Sequence, residues 1–319
     1  MSLIEQAAKR LEQLRQAGVE LPDDESLTNV SGGVLNGKGT EPPPPPPLSS
    51  QPIEATLPAN PFPEPTGGRS STKRVMLDLE AMAASGLLVP TQSRSLLANE
   101  FRVIKRPLIA NAMGKGSKPI PNGNLIMVTS ALPGEGKSFT AVNLAISIAM
   151  ELDNTVMLVD ADVARPSVLT MLGLPPAEGL LDVVQDDAMD ISQVLLHTNV
   201  EKLSILPSGT SHPRATELLA SEAMIRLLDD VSKRYPDRII VFDSPPLLLT
   251  TEARALATHM GQIVVVVQAG STTQAAVREA ISTIESCPVR MVVLNQATQS
   301  VSDRYGYGYA YGYGYGNEK

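Results

Sequence analysis

Leu125-Ile126-Met127-Val128-Thr129-Ser130 runs directly into Ala131-Leu132-Pro133-Gly134-Glu135-Gly136-Lys137-Ser138-Phe139, and this stretch decides the fold. The first six residues have the length and apolar character of a buried strand, and a helix is expected from about Lys137. Between them lies the spacing of a phosphate-binding loop. Gly134, Gly136, Lys137 and Ser138 stand in register, with Ala131 where the usual pattern begins with glycine. Glycines let successive backbone N–H groups curl round anionic oxygens, and the helix N-terminus adds positive potential. Lys137 can reach the β- and γ-phosphates of a nucleotide, Ser138 can offer a hydroxyl to Mg²⁺, and Pro133, Glu135 and Phe139 complete the expected nucleotide-contacting segment. A glycine-rich turn that merely precedes a helix is the plainer alternative.

Working outward, further apolar runs of strand length recur: TVMLVD from Thr155, KLSILPSG from Lys202, RIIVFDSPP from Arg238, QIVVVVQ from Gln262 and VRMVVLNQ from Val289. Longer helical stretches separate most of them. The implied class is α/β with a mainly parallel sheet, and runs apolar throughout predict helices on both faces. Two of these strands end in acids, placing Asp160 and Asp243 at strand termini with Asp162 two residues beyond the first. Ligands of such sheets bind outside the carboxyl ends of the strands. The three acids can therefore converge on one Mg²⁺–nucleotide, although any single strand-end aspartate could be only a helix cap. Asn295 ends its own strand and is read either as a contact to adenine or as a turn residue.

The remaining sequence divides by composition. Leu3, Ile4, Ala7, Ala8, Leu11 and Leu14 predict an amphipathic helix over 1–18 that Gly18 would stop. A proline-rich linker is expected over 19–73, containing the run Pro42–Pro47; such a run favours extended polyproline II and serves as a spacer or a docking ligand. Helices are expected near Arg74–Ser85 and Gln92–Met113, with Pro107 kinking the second or marking a restart. They lead into a folded domain over 74–296, whose central body is expected from about residue 90. At the C-terminal end, 297–319 forms a Tyr/Gly tail that glycine is expected to keep flexible. The chain has seven tyrosines and four phenylalanines in 319 residues, and six of those tyrosines fall in the tail: Tyr305, Tyr307, Tyr309, Tyr311, Tyr313 and Tyr315. Without other motifs, a sticky aromatic tail would be the simpler reading of them.

A net charge of −8 argues against nucleic acid as a partner through a broad basic surface. Cys287 is the single cysteine and cannot form an intramolecular disulfide, and no cluster has zinc-ligand spacing. The longest strongly apolar stretch, Ile263–Val267, is far shorter than a membrane span requires, and the charged N-terminus does not read as a signal peptide. A cytoplasmic chain is expected.

The ordered set SALPGEGKS, VDADVARP and VFDSPP, with a closing tyrosine cluster, resembles the bacterial tyrosine kinases, in which these segments correspond to the three Walker motifs. ILPSG and ATELLAS look like the family's intervening segment. The resemblance covers roughly residues 95–319 and implies a P-loop NTPase fold of the MinD/ParA-like type. MSLIEQAAKRLEQL and EFRVIKRPL look most like the subgroup linked to exosortase-associated exopolysaccharide loci. In the family an E-x-x-R-x-x-R helix supports ring assembly; here Glu100, Arg102, Lys105 and Arg106 occupy that region with altered spacing. Ala164 replaces a frequent arginine, Leu169 stands near a frequent histidine, and Glu252 replaces a frequent aspartate. The competing reading is a MinD/ParA-like non-kinase ATPase switch. Its signature lysine would fall at Leu132, which counts against it.

The resemblance implies ATP-dependent phosphorylation of tyrosine, with Lys137, Asp160, Asp162 and Asp243 as catalytic residues and ATP and Mg²⁺ as cofactors. Ser138 and Asp243 would organise the metal with Asp162 in support, and Asp160 would accept or orient the tyrosine proton. The six tail tyrosines would be the phosphoacceptors. Also implied are self-association into an oligomer, a cognate tyrosine phosphatase, control of exopolysaccharide polymerisation and export, and a membrane polysaccharide co-polymerase-type adaptor on a separate chain. That adaptor would hold the kinase peripherally at the inner membrane. The N-terminal helix would bind it or pack on the kinase core.

Overall fold

The computed structural model describes residues 73–297, except 117, 235 and 236. The helix expected over 1–18, all but the last residue of the linker, all but the first residue of the tail with its six tyrosines, and Tyr235 lie outside them.

Among the described residues the chain order is β1 (Lys73–Arg74), α1 (Leu79–Ala84), α2 (Leu96–Ala112), β2 (Leu125–Ser130), α3 (Lys137–Ala149), β3 (Thr155–Asp160), α4 (Val168–Met171), α5 (Leu180–Gln185), α6 (Ile191–Val194), β4 (Leu196–His197), β5 (Leu203–Leu206), α7 (Ala215–Leu219), α8 (Glu222–Arg234), β6 (Arg238–Asp243), α9 (Thr251–Ala257), β7 (Gln262–Gln268), α10 (Gln274–Ser282) and β8 (Val289–Asn295). The strands form one sheet in the order β1-β4-β5-β3-β6-β2-β7-β8. Every neighbouring pair is parallel except β4 and β5, which are antiparallel.

The central strands are buried on both faces, which explains their unbroken apolar character. One face carries α5 to α10, packed through residues such as Leu180, Leu228, Leu256 and Ile284. The other face carries α1 to α3. α3 is buried along nearly its whole length, from Thr140 to Ala149, because β strands lie beneath it and α2 lies over it. α8 shows the opposite pattern: Met224, Leu228 and Val231 face the core, while Asp229–Lys233 and Asp230–Arg234 ion pairs line its outer side.

Four expectations need correction. Lys73–Arg74 form a strand, so the first helix starts only at Leu79, where Asp78 caps it by accepting the Glu80 and Ala81 N–H groups. The body begins well before residue 90: Leu77, Met82 and Leu87–Val89 join the core, and the Leu88 N–H donates to Asn143 in α3. The second helix starts at Leu96 rather than near Gln92, which closes a separate 3₁₀ turn from Pro90, and it continues through Pro107, so of a kink or a restart only the restart is overturned. The last strand is not buried on both faces. β8 is an edge strand whose residues alternate between half-buried and exposed: Met291 and Val293 pack on the core, while Arg290, Val292 and Leu294 do not.

Candidate active site

The phosphate loop joins β2 to α3 as the spacing predicts. Gly134 and Gly136 have φ of 83° and 90°, left-handed conformations that favour glycine. A Cβ on Gly136 would also come within 2.1 Å of the Asn295 amide nitrogen. The loop is fixed from within by Glu135, only 2% exposed. Its carboxylate accepts the Leu132 N–H at 2.6 Å and the Thr272 hydroxyl, and the Gln268 N–H at 3.5 Å. Asn295 donates its amide to the Glu135 carbonyl at 2.9 Å. Both residues, expected at the nucleotide, thus use their side chains to brace the loop against the β7–α10 turn and the end of β8. Phe139 packs partly into the core, and its carbonyl accepts the Asn143 amide.

On the other side of the loop the predicted acids converge. β3 and β6 are neighbours in register, with Asp160 opposite Asp243. Lys137 points into this group: its ammonium lies 2.6 Å from Asp162 Oδ2, 3.9 Å from Asp243 Oδ1 and 3.2 Å from the Ser138 hydroxyl. Asp162 also accepts the Arg165 N–H. Asp243 is fully buried, and neither of its carboxylate oxygens has a hydrogen-bond partner. Burial pushes its pKa up to about 6 against the pull of the Lys137 ammonium. A buried carboxylate with both oxygens unsatisfied, beside a serine hydroxyl and a phosphate loop, fits a hydrated divalent cation.

Asp160 is placed differently. Its Oδ2 accepts the Ser167 and Val168 N–H groups that open α4, while Oδ1 is buried and unpartnered. Burial first, and then the Asp243 charge, raise its pKa to about 7. It lines a cavity of about 260 Å³ with Pro166, Leu169 and Ser208. The larger cleft, about 480 Å³, opens beside it over Pro133, Gly134, Lys137, Asp162 and Arg165, and is walled by Pro245, Pro246, Leu249 and Thr250. The sequence reading missed Leu249, Thr250 and Thr272, which carry no motif. VFDSPP contained the signal for the two wall prolines.

Other singled-out positions have structural partners. Lys105 is buried in α2, where its ammonium donates to the Ser147 carbonyl and pairs with Glu151 at 2.8 Å, so it is not a surface cation. Arg102 donates to Asn99 and the Ser93 carbonyl. Glu252 accepts the Thr216 hydroxyl at 2.6 Å. Cys287 is buried, with its thiol pKa raised by that burial. Among the described residues no helix is long and apolar enough to cross a membrane.

The parallel sheet, the loop and the strand-end acids together define an ATP-binding P-loop NTPase. The family described as an AAA domain matches residues 123–298, over half of the chain. Tyrosine-protein kinase YwqD of Bacillus subtilis is 30% identical over 222 residues, covering 69% of this chain and 90% of that protein. Succinoglycan biosynthesis transport protein ExoP of Rhizobium meliloti is 31% identical over 223 residues, which is 68% of this chain but only 27% of the relative. Among solved structures, the kinase domain of the Escherichia coli tyrosine kinase ETK superposes with a TM-score of 0.51 at 26% identity, covering 60% of this chain and 73% of that one. The chain belongs to the bacterial tyrosine-protein kinases.

Proposed function

We propose that this chain transfers the γ-phosphoryl group of ATP to the tyrosines of its own C-terminal cluster, in trans, as a regulator of exopolysaccharide polymerisation and export. The observation that carries the reading is the buried, unpartnered Asp243 carboxylate facing Lys137 across the mouth of the phosphate loop. The loop backbone from Pro133 to Ser138 binds the phosphates. Lys137 leaves Asp162 to meet them, and this exchange of one anionic partner for another keeps the ammonium neutralised throughout. Ser138, Asp162 and Asp243 hold Mg²⁺, which supplies charge neutralisation at the transferring phosphoryl group.

An unperturbed phenol has a pKa of about 10 and must lose its proton near the transition state. Asp160, with one buried free oxygen and a pKa about 7, supports the role of proton acceptor or orienter. Its place on the wall of the smaller cavity supports an approach of the acceptor ring from the α4 side of the cleft. The tail, about 20 residues after Ala297, spans some 60 Å when extended, enough to reach a neighbouring subunit. Each phosphotyrosine adds roughly −1.5 to −2 charge to an already acidic chain, so multiple modification favours release from an oligomer.

The polysaccharide role is supported by the name of ExoP, a succinoglycan biosynthesis transport protein. We place the chain in the exosortase-linked subgroup, held peripherally at the inner membrane by a co-polymerase-type adaptor and reset by a tyrosine phosphatase. Mixing a Lys137→Ala full chain with an active chain ending at Ser300, in labelled ATP and Mg²⁺, tests transfer in trans. Label on the inactive partner's tail is expected; a blank tail beside ongoing ATP hydrolysis overturns the proposal.

A further inference from the structure

Among the described residues, the side chains that line the larger cleft include two cations, Lys137 and Arg165. Lys137 is already matched by Asp162 at 2.6 Å. Arg165 is exposed, and among the described residues its guanidinium has neither an ion-pair nor a hydrogen-bond partner. By contrast, Arg226 and Arg234 of α8 pair with Asp187, Asp190 and Asp230. The root of the Arg165 side chain is held while its tip is not. Its backbone N–H donates to the Asp162 carboxylate at 3.2 Å and to the Asp162 carbonyl at 3.1 Å, and Pro166 narrows the conformations open to it. The Asp162 carboxylate therefore sits between the Arg165 backbone and the Lys137 ammonium, which puts the guanidinium within reach of the phosphates that Lys137 meets. The neighbouring Ala164 has no charge, so Arg165 is the single cation between β3 and α4.

The charge balance of the cleft calls for such a group. Asp160, Asp162 and Asp243 bring three carboxylates against one Lys137 ammonium, before a nucleoside triphosphate adds its own negative charge. The transferring phosphoryl group spreads charge over three equatorial oxygens. A guanidinium offers a planar pair of donors to two oxygens at once, which an ammonium does not. We infer that Arg165 is a catalytic residue of the transfer step, its guanidinium closing on the γ-phosphoryl oxygens as charge shifts toward ADP. In that step the acceptor oxygen forms its bond to phosphorus, the bond from phosphorus to the β–γ bridging oxygen breaks, and ADP leaves with the electron pair. Arg165 gives up no proton. The inference rests on phosphoryl transfer in this cleft and is independent of which tyrosine receives the group.

Calorimetric titration of the full chain with ADP and Mg²⁺, with and without aluminium fluoride as a mimic of the transferring phosphoryl group, tests this without turnover. The wild type is expected to bind ADP at least about 10²-fold tighter when aluminium fluoride is present. Arg165→Ala should hold its affinity for ADP alone within about threefold while losing most of that gain, the mark of an interaction made only in the transition state. Arg165→Lys keeps the charge without the fork and should recover part of it. In turnover, Arg165→Ala should lower kcat by about 10²–10³-fold with KM for ATP nearly unchanged. Its urea midpoint should stay in place, since the guanidinium has no partner in the described fold. A gain that Arg165→Ala retains in full overturns the inference. So does an equal loss of affinity with and without aluminium fluoride, which makes Arg165 a ground-state phosphate contact, or an effect confined to KM for the tyrosine-bearing substrate, which places it on the acceptor. A wild type that gains nothing from aluminium fluoride breaks phosphoryl transfer in this cleft itself, and the inference falls with it.

Discussion

Glu135 and Asp243 are two buried carboxylates on opposite sides of one phosphate loop, and their surroundings could hardly differ more. Glu135 accepts bonds from Leu132, Thr272 and Gln268, and the loop's shape depends on it. Asp243 has no hydrogen bond of good geometry at either oxygen, and what faces it is the Lys137 ammonium at 3.9 Å with the Ser138 and Ser167 hydroxyls nearby. Leaving a buried charge unsatisfied costs stability that a loop brace does not cost. The difference sets a group built into the loop apart from one left open to the cation proposed for it, although both look equivalent as acids near a motif.

The contrast breaks most visibly in activity. Asp243→Asn and Lys137→Ala are each expected to lower phosphoryl transfer by about 10²–10³-fold, as removal of a charge-stabilising group does. Asp243→Asn should nevertheless leave nucleotide-free stability equal or higher above pH 7; marked destabilisation in urea would mean the carboxylate is structural. The pH dependence has the same origin. Asp160 and Asp243 have pKa values raised to about 7 and about 6, so the folded chain holds protons that the unfolded chain has already released. The stability they contribute is present below about pH 4 and is lost as pH rises toward 7. A urea midpoint series without nucleotide should show that decline, and Asp243→Asn should flatten it.

Changes on the bracing side act on stability and nucleotide binding together. Gly136→Ala combines a left-handed φ with a Cβ 2.1 Å from Asn295, and a loss of about 2–3 kcal/mol is expected. Adding Asn295→Ala should recover only the steric part, because the backbone strain persists. Glu135→Ala leaves the Leu132 and Thr272 donors unsatisfied and should cost about 1–3 kcal/mol, with KM for ATP rising more than kcat falls. Smallest of all, Leu294→Ser on the exposed face of β8 should change global stability by no more than about 0.5 kcal/mol in the chain ending at Ser300.

The parts legible in the sequence were those written in contiguous residues. Leu125–Ser130 and its loop, the other apolar strands, and the acids at the ends of β3 and β6 follow from local pattern and from the geometry of parallel sheets. What stayed hidden depends on partners far along the chain. Glu135 reads as part of the nucleotide-contacting segment until Thr272 is seen to reach it, and nothing in EFRVIKRPL shows that the Ser147 carbonyl and Glu151 lie beside Lys105. β8 has the apolar character of an interior strand, yet its place at the sheet edge exposes Val292 and Leu294. Short β1 and β4 carry too few residues to show any period at all.

The central claim, that the Lys137–Asp243 side of the loop serves tyrosine phosphorylation, is tested most directly by mapping phosphate by mass after incubation with ATP and Mg²⁺. The account predicts phosphate on tyrosines between Tyr305 and Tyr315 in the wild type and about 10²–10³-fold slower labelling in Lys137→Ala and Asp243→Asn. A wild-type chain that hydrolyses ATP while every one of those tyrosines stays unmodified, even with the cytoplasmic segment of the proposed adaptor present, would contradict it.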